Sequence, residues 1–180
     1  MSFFTTYSKK LENLIAVVIF LITFAVYFST MAPTVSFWDT GEFIATSHIL
    51  GVPHPPGSPL FLLVGKFFSL IPISSDIAFR VNIFSPIISA LTISLLFLIC
   101  NQFIDRVKPK DDNKFFKMWS SLTASLTFAF THSHWFNAVE TEVYAFSGFM
   151  TALVIYLIMR WSEKIHNSNH VIYLICISYI

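Results

Sequence analysis

LIAVVIFLITFAVYF, residues 14–28, decides the class of fold. The run holds no charge, and Thr23 is its one small hydroxyl residue. Extended at both ends it covers about residues 12–31, close to the ~20 apolar residues a helix needs to cross ~30 Å of hydrocarbon. Lys9 and Lys10 precede it, as they would in a secretory signal. The apolar stretch is longer than a signal's apolar region, however, and Ser29-Thr30-Met31-Ala32-Pro33 offers no small-x-small cleavage site. It reads as an uncleaved first span.

Working outward, similar runs cover residues 81–103, 115–131 and 143–161, and another covers 171–180, where the sequence stops. A span cannot end halfway through hydrocarbon. The expectation is an all-α integral membrane protein with about four complete spans and a truncated fifth. Residues 1–180 would form a single transmembrane domain, the N-terminal part of a longer protein. Composition agrees: of 180 residues 55% are apolar and 12% charged, about half the charge of a soluble domain. A net charge of +1 gives nucleic acid no electrostatic footing, and the partner implied is the lipid bilayer. Cys100 and Cys176 both lie inside apolar runs and make no disulfide framework.

Basic residues orient the chain. With a cytoplasmic N-terminus, the inner segments hold Lys9, Lys10, Arg106, Lys108, Lys110, Lys114, Lys117, Arg160 and Lys164. The outer segments hold only Lys66 and Arg80, a firm positive-inside bias. The outer loops are then residues 32–80 and 132–142. The first is long yet apolar. Ser58-Pro59 opens a short helix over 59–71, with Ser58 as cap and Pro59 at the first helical position. That helix is too short to span and suits the interface, with Lys66 snorkelling from it. A second short helix is expected over 41–50, closed by Gly51.

Polar residues concentrate in these loops. Asp39 and Glu42 sit at the outer end of the first span, where burial and mutual repulsion raise carboxylate pKa values and suit a general base. The competing reading is a helix cap with a returning acid three residues on, which local physics favours by roughly two to one. Gly51 to Pro59 carries four prolines and two glycines, a stiff turn that either places His54 at a site or merely joins two helices. Glu140 and Glu142 either support the positive end of the next helix or face the first loop across a cavity. His132 and His134, two apart, splay on a helix and make a poor metal pair. Asn82, Ser85 and Ser89 share one helical face, and Ser120, Ala124, Thr127 and Thr131 another; both read as packing seams. Arg80 at the membrane edge is an anchor by default and a lipid-phosphate ligand otherwise.

Pro33-Thr34-Val35, Trp38-Asp39-Thr40-Gly41-Glu42-Phe43 and Leu50-Gly51-Val52-Pro53-His54-Pro55-Pro56-Gly57-Ser58-Pro59-Leu60 together resemble the transmembrane-protein-260-like family. Arg80-Val81-Asn82 with Ser85, and Glu140 with Glu142-Val143-Tyr144, fit the same pattern, and the similarity runs from about Leu14 to the end. The resemblance implies a GT-C type bundle and a membrane protein O-mannosyltransferase. Such an enzyme takes sugar from a polyprenyl-phosphate donor and gives it, with inversion, to a Ser/Thr hydroxyl of an acceptor protein on the outer face. It implies Asp39 as catalytic base assisted by Glu42. The expected substrate-binding residues are His54, Pro55, Pro56, Gly57, Arg80, Glu140, Glu142 and Tyr144. No cofactor and no dedicated metal site are expected, with a divalent cation left open. The expected location is a bacterial inner membrane. GT-C enzymes have more spans than this chain, and usually a soluble C-terminal part, so a piece of this length is expected to lack activity alone. The alternatives are a transporter or lipid-handling protein, whose acids belong within the spans rather than outside them, and a structural subunit.

Overall fold

The computed structural model describes residues 2–107, 113–163 and 170–178. Lys108, Lys110 and Lys164 of the charge argument, and Ile180, lie outside them. The chain is helical: α1 (Ser2–Thr30), α2 (Thr40–Ile49), α3 (Pro59–Leu70), α4 (Ile77–Asn82), α5 (Phe84–Val107), α6 (Lys114–Ala129), α7 (His132–Ala138), α8 (Val143–Glu163) and α9 (His170–Ser178), with no strand among the described residues. Three stretches are long and apolar enough to cross a membrane: Lys9–Thr30, Ile77–Val107 and Val143–Glu163. They carry the first, second and fourth expected runs. α6, within the third run, has 16 residues, about 24 Å of rise.

α5 is the hub and packs against α1, α6 and α8. Small residues allow the close approach. Ala16, Ala90 and Ala129 are buried, and Ser94 Oγ donates across to the Ala16 carbonyl at 2.9 Å. Tyr27, fully buried, donates its phenol to the Ala129 carbonyl at 2.9 Å. The expected seam of Asn82, Ser85 and Ser89 is buried as read. The α6 seam is corrected. Ser121, Ser125 and Ala129 face inward, while Ala124, Thr127 and Thr131 are exposed. Both faces of α6 carry small residues at helical spacing, so only the position of α5 could choose between them.

The helix entering the bundle breaks once, at Ile83 between α4 and α5. Pro86 explains the break: it has no N–H for the carbonyl four residues earlier, that of Asn82, and its ring crowds that carbonyl. The break leaves Asn82 fully buried just before the start of α5, where its side chain joins the loops.

α2 and α3 form the two short helices expected in the first loop and pack on each other and on α4. Gly65 sets their spacing, since a Cβ there would lie 2.4 Å from Ser47 Oγ. Beneath them an aromatic floor joins α2, α3, α5 and α8: Phe43–Phe61 centroids are 5.5 Å apart, Phe61–Phe84 5.8 Å and Phe84–Phe146 5.7 Å. Such pairs add about 0.5–1.5 kcal/mol each beyond the area they bury.

Candidate functional site

The ends of α1, α4 and α7 and the start of α8 meet at one end of the bundle, and the two loops are tied together there. The Ala32 amide donates to the Val139 carbonyl at 2.8 Å. Asn82 Nδ2 donates to the Ala32 and Thr34 carbonyls, both at 2.9 Å, and Asn82 Oδ1 accepts from the Thr141 hydroxyl. Ser36 donates to Glu140 Oε2 at 2.5 Å. Asp76 caps α4 through the Ala78 amide at 2.8 Å; the Thr34 hydroxyl is the first reason its carboxyl lies below the ordinary value. These bonds pair several buried polar groups of this end across the two loops.

The cap reading of Asp39 fails. Asp39 occupies the N-cap position of α2, yet its side chain makes no cap hydrogen bond. A capping residue normally has extended backbone, whereas Asp39 has φ −81° and ψ 0°. The turn before it is tight: Trp38 has φ 60°, a left-handed conformation uncommon for a bulky residue and often found at functional sites. Ser58 likewise caps nothing through its side chain, although Pro59 begins α3 as expected. Asn137 bonds back to the Ser133 carbonyl at 2.7 Å and does not cap α8.

Glu42 is engaged elsewhere. Its Oε1 accepts the His54 backbone N–H at 2.7 Å, and its Oε2 lies 2.8 Å from His54 Nδ1. The imidazole hydrogen bond is the main cause that lowers the Glu42 carboxyl and raises His54. The proline-rich turn supports this geometry. Its Pro55–Pro56 peptide is cis, Gly57 adopts φ 79°, and the Gly57 amide donates to the His54 carbonyl at 3.1 Å. One ligand atom from each of Asp39, Glu42 and His54 lies within 4.8 Å of the others.

Behind this exposed group lie two buried acids. Glu140 is 4% exposed and Glu142 6%. Burial, reinforced by Glu140 and then Asp39, pushes the Glu142 carboxyl up to about 7. Glu140 Oε1 is buried without a hydrogen-bond partner.

The structure therefore brings Asp39, Glu42, His54, Glu140 and Glu142 together, with Pro55, Pro56 and Gly57 as the turn that carries His54. Arg80 is placed differently. Its Nε donates to the Ser74 carbonyl at 2.5 Å and an Nη to the Ser69 carbonyl at 3.2 Å, closing the α3–α4 connection. Lys66 does not snorkel freely; its ammonium donates to the His48 carbonyl at the end of α2, 2.5 Å away. Tyr144 is 68% exposed on the first turn of α8. His132 and His134 diverge as their spacing requires: His132 stacks on Phe136, and His134 packs on Phe128 with centroids 4.7 Å apart. The residues that sequence reading misses are Ser36 and Thr141, ordinary loop hydroxyls with no local signal. Asn82 reads in the sequence only as part of a seam.

Fold and site together define an all-α membrane protein whose titratable side chains gather between two loops beyond the ends of its spanning helices. Comparison with known proteins narrows this class. The chain belongs to the family described as "Protein O-mannosyl-transferase TMEM260 N-terminal domain", whose model matches residues 39–180, so that Asp39 is the first residue matched. It is 27% identical over 151 residues to "Protein O-mannosyl-transferase tmem260" of Dictyostelium discoideum, covering 83% of this chain and 17% of that protein. It is 29% identical over 153 residues to "Protein O-mannosyl-transferase TMEM260" of Mus musculus, covering 82% and 20%. The chain thus spans about a fifth of the length of these relatives. No solved structure matches it.

Proposed function

We propose that the chain is the N-terminal part of a GT-C type membrane glycosyltransferase. It moves a sugar, mannose by the names of its relatives, from a polyprenyl-phosphate donor to a Ser/Thr hydroxyl of an acceptor protein. One observation carries the reading: the Asp39 carboxylate is exposed and unspent on its helix, at the mouth of a carboxylate cluster assembled from both loops at the bundle end. A lipid-borne donor presents its phosphate at that depth, so no soluble-nucleotide loop is needed. The N-terminus lies in the cytoplasm in this reading, and the site faces the far side of the membrane, for a bacterial member the outer face of the inner membrane. The lysines and arginines of the opposite end support that orientation, with Lys117 bridging Glu12 at 2.9 Å and Asp105 at 2.7 Å.

In the transfer, Asp39 takes the proton of the acceptor hydroxyl as its oxygen forms a bond to the anomeric carbon from the face opposite the phosphate. The bond from that carbon to the phosphate oxygen breaks, and its electron pair leaves with the lipid phosphate. The configuration inverts. Glu42 holds His54 and the stiff turn beside Asp39, and Glu142, whose carboxyl burial raises to about 7, brings less negative charge near neutral pH than an ordinary carboxylate. The position of the acids outside the spans favours a transferase over a transporter.

The test is Asp39→Asn in the full-length protein, assayed for sugar transfer at matched protein levels. Loss of a general base costs about 10²–10⁴-fold. Retention of wild-type turnover would remove Asp39 from the mechanism.

A further inference from the structure

We propose that the cavity between α1, α5 and α8, at the end of the bundle opposite Asp39, holds the head group of a phospholipid that carries a primary ammonium, of the phosphoethanolamine type. The site takes no part in the transfer proposed above and does not depend on it.

α1 and α8 both pack on α5, and a cavity of about 210 Å³ opens between them. That is below the ~300–1,000 Å³ of sites for drug-sized ligands and suits one small polar group. Its depth is that of a lipid head group. The apolar stretches Lys9–Thr30, Ile77–Val107 and Val143–Glu163 reach the cavity at the same end of the bundle, through Lys9, Asp105 and Glu163. Leu98 and Tyr156 line its deep side, about 10–14 Å below the ends of their helices at ~1.5 Å per residue. At that depth a head group gives way to glycerol and acyl chains.

The lining leaves both donors and acceptors unanswered. On one side Lys117 bridges Glu12 at 2.9 Å and Asp105 at 2.7 Å, so one cation answers two acids and negative charge is in excess. Arg160 meets Glu163 at 3.0 Å through one nitrogen and keeps further N–H groups. Lys9, on the facing wall, has no ion-pair partner among the described residues. Gln102 lines the floor, and its Oε1 is buried without a hydrogen-bond partner. A buried acceptor left without a donor is costly and calls for an N–H or O–H. An anion alone would meet the surplus acid, and a cation alone would meet Lys9 and Arg160. A zwitterion satisfies both: its phosphate takes the donors of Lys9 and Arg160, as basic side chains between spanning helices do for lipid head groups. Its ammonium, two carbons away, gives N–H to Gln102 Oε1 and faces the acids. A trimethylammonium has no N–H to give and leaves Gln102 unanswered.

The test uses the full-length protein in detergent, stripped of lipid, with binding read by native mass spectrometry and by the thermal denaturation midpoint. One phosphatidylethanolamine is expected to bind per chain, at least ~10-fold more tightly than phosphatidylcholine, which lacks the hydrogen bond from a charged donor. Gln102→Leu is expected to fold as the wild type does and to bind the two lipids alike. Lys9→Gln is expected to weaken both lipids equally, by about 5-fold. Circular dichroism of each variant separates lost binding from lost folding. Equal affinity of the wild type for the two lipids overturns the site, whatever the variants do. An undiminished preference in folded Gln102→Leu overturns it too, as does full-strength binding in Lys9→Gln. Phosphatidylglycerol bound as tightly as phosphatidylethanolamine refutes the role of the ammonium. Soluble glycerophosphoethanolamine bound as tightly as the lipid assigns the cavity to a free head group and refutes the lipid.

Discussion

Replacing Asn82 tests whether the two loops form one site. Its amide makes three hydrogen bonds in a fully buried position, to Ala32, Thr34 and Thr141. Asn82→Ala removes all three and leaves two carbonyls and a hydroxyl searching for partners. At about 1 kcal/mol net for each bond, the loss is about 3 kcal/mol, and more if water cannot reach the freed groups. The thermal denaturation midpoint of the full-length protein in detergent should fall by roughly 5 °C or more. Asn82→Asp sharpens the test. It keeps the shape and the acceptor for Thr141, but a carboxyl can donate at most one hydrogen bond where the amide made two. Its midpoint should lie between those of wild type and Asn82→Ala. Thr141→Val removes one bond from the other side, so combining it with Asn82→Ala should cost less than the sum by about 1 kcal/mol. A midpoint for Asn82→Ala within about 1 °C of wild type, with additive behaviour in the double variant, would refute the claim that Asn82 joins the loops.

Two further outcomes are expected from the same geometry. Gly65→Ala sets a Cβ 2.4 Å from Ser47 Oγ and 2.8 Å from Ser47 Cβ, which should cost about 1–3 kcal/mol by overpacking; Ser47→Gly in the same chain should recover most of the loss in a denaturation assay. Glu142, raised by burial from an ordinary 4.5 to about 7, favours the folded state in its protonated form. That contribution is complete below about pH 4.5 and is lost as pH rises through about 7. Glu142→Gln should therefore flatten the decline in the wild-type midpoint between about pH 5 and pH 8; an unchanged slope would show that the acid is not held protonated.

Much of the local structure could be read from residue order. α3 begins at Pro59 as its sequence indicates, and α2 covers Thr40–Ile49 against an expected 41–50. Asp39 and Ser58 show where such reading fails. Both stand at cap positions, and neither side chain caps. Cap rules weigh a residue against its own helix, whereas Asp39 comes after the left-handed Trp38. Glu42, the acid expected to fold back on that helix, has a stronger partner twelve residues away in His54. Local order leaves the acids at 140 and 142 open between supporting a helix and facing the first loop. Ser36, 104 residues distant from Glu140, gives the second reading its geometry.

The sequence by itself determined that this chain is a helical membrane protein, where its apolar helices lie and which loops gather its acids. Hydrocarbon forces every backbone polar group to find its partner within its own helix, and that demand is met residue by residue along the chain. Only the tertiary structure decided which face of α6 turns inward, that Arg80 and Lys66 are spent on carbonyl oxygens, and that Asp39, Glu42 and His54 converge before a buried pair of glutamates. Those outcomes depend on distances between segments far apart in the chain, and each polar group takes the best partner within reach, however remote in sequence.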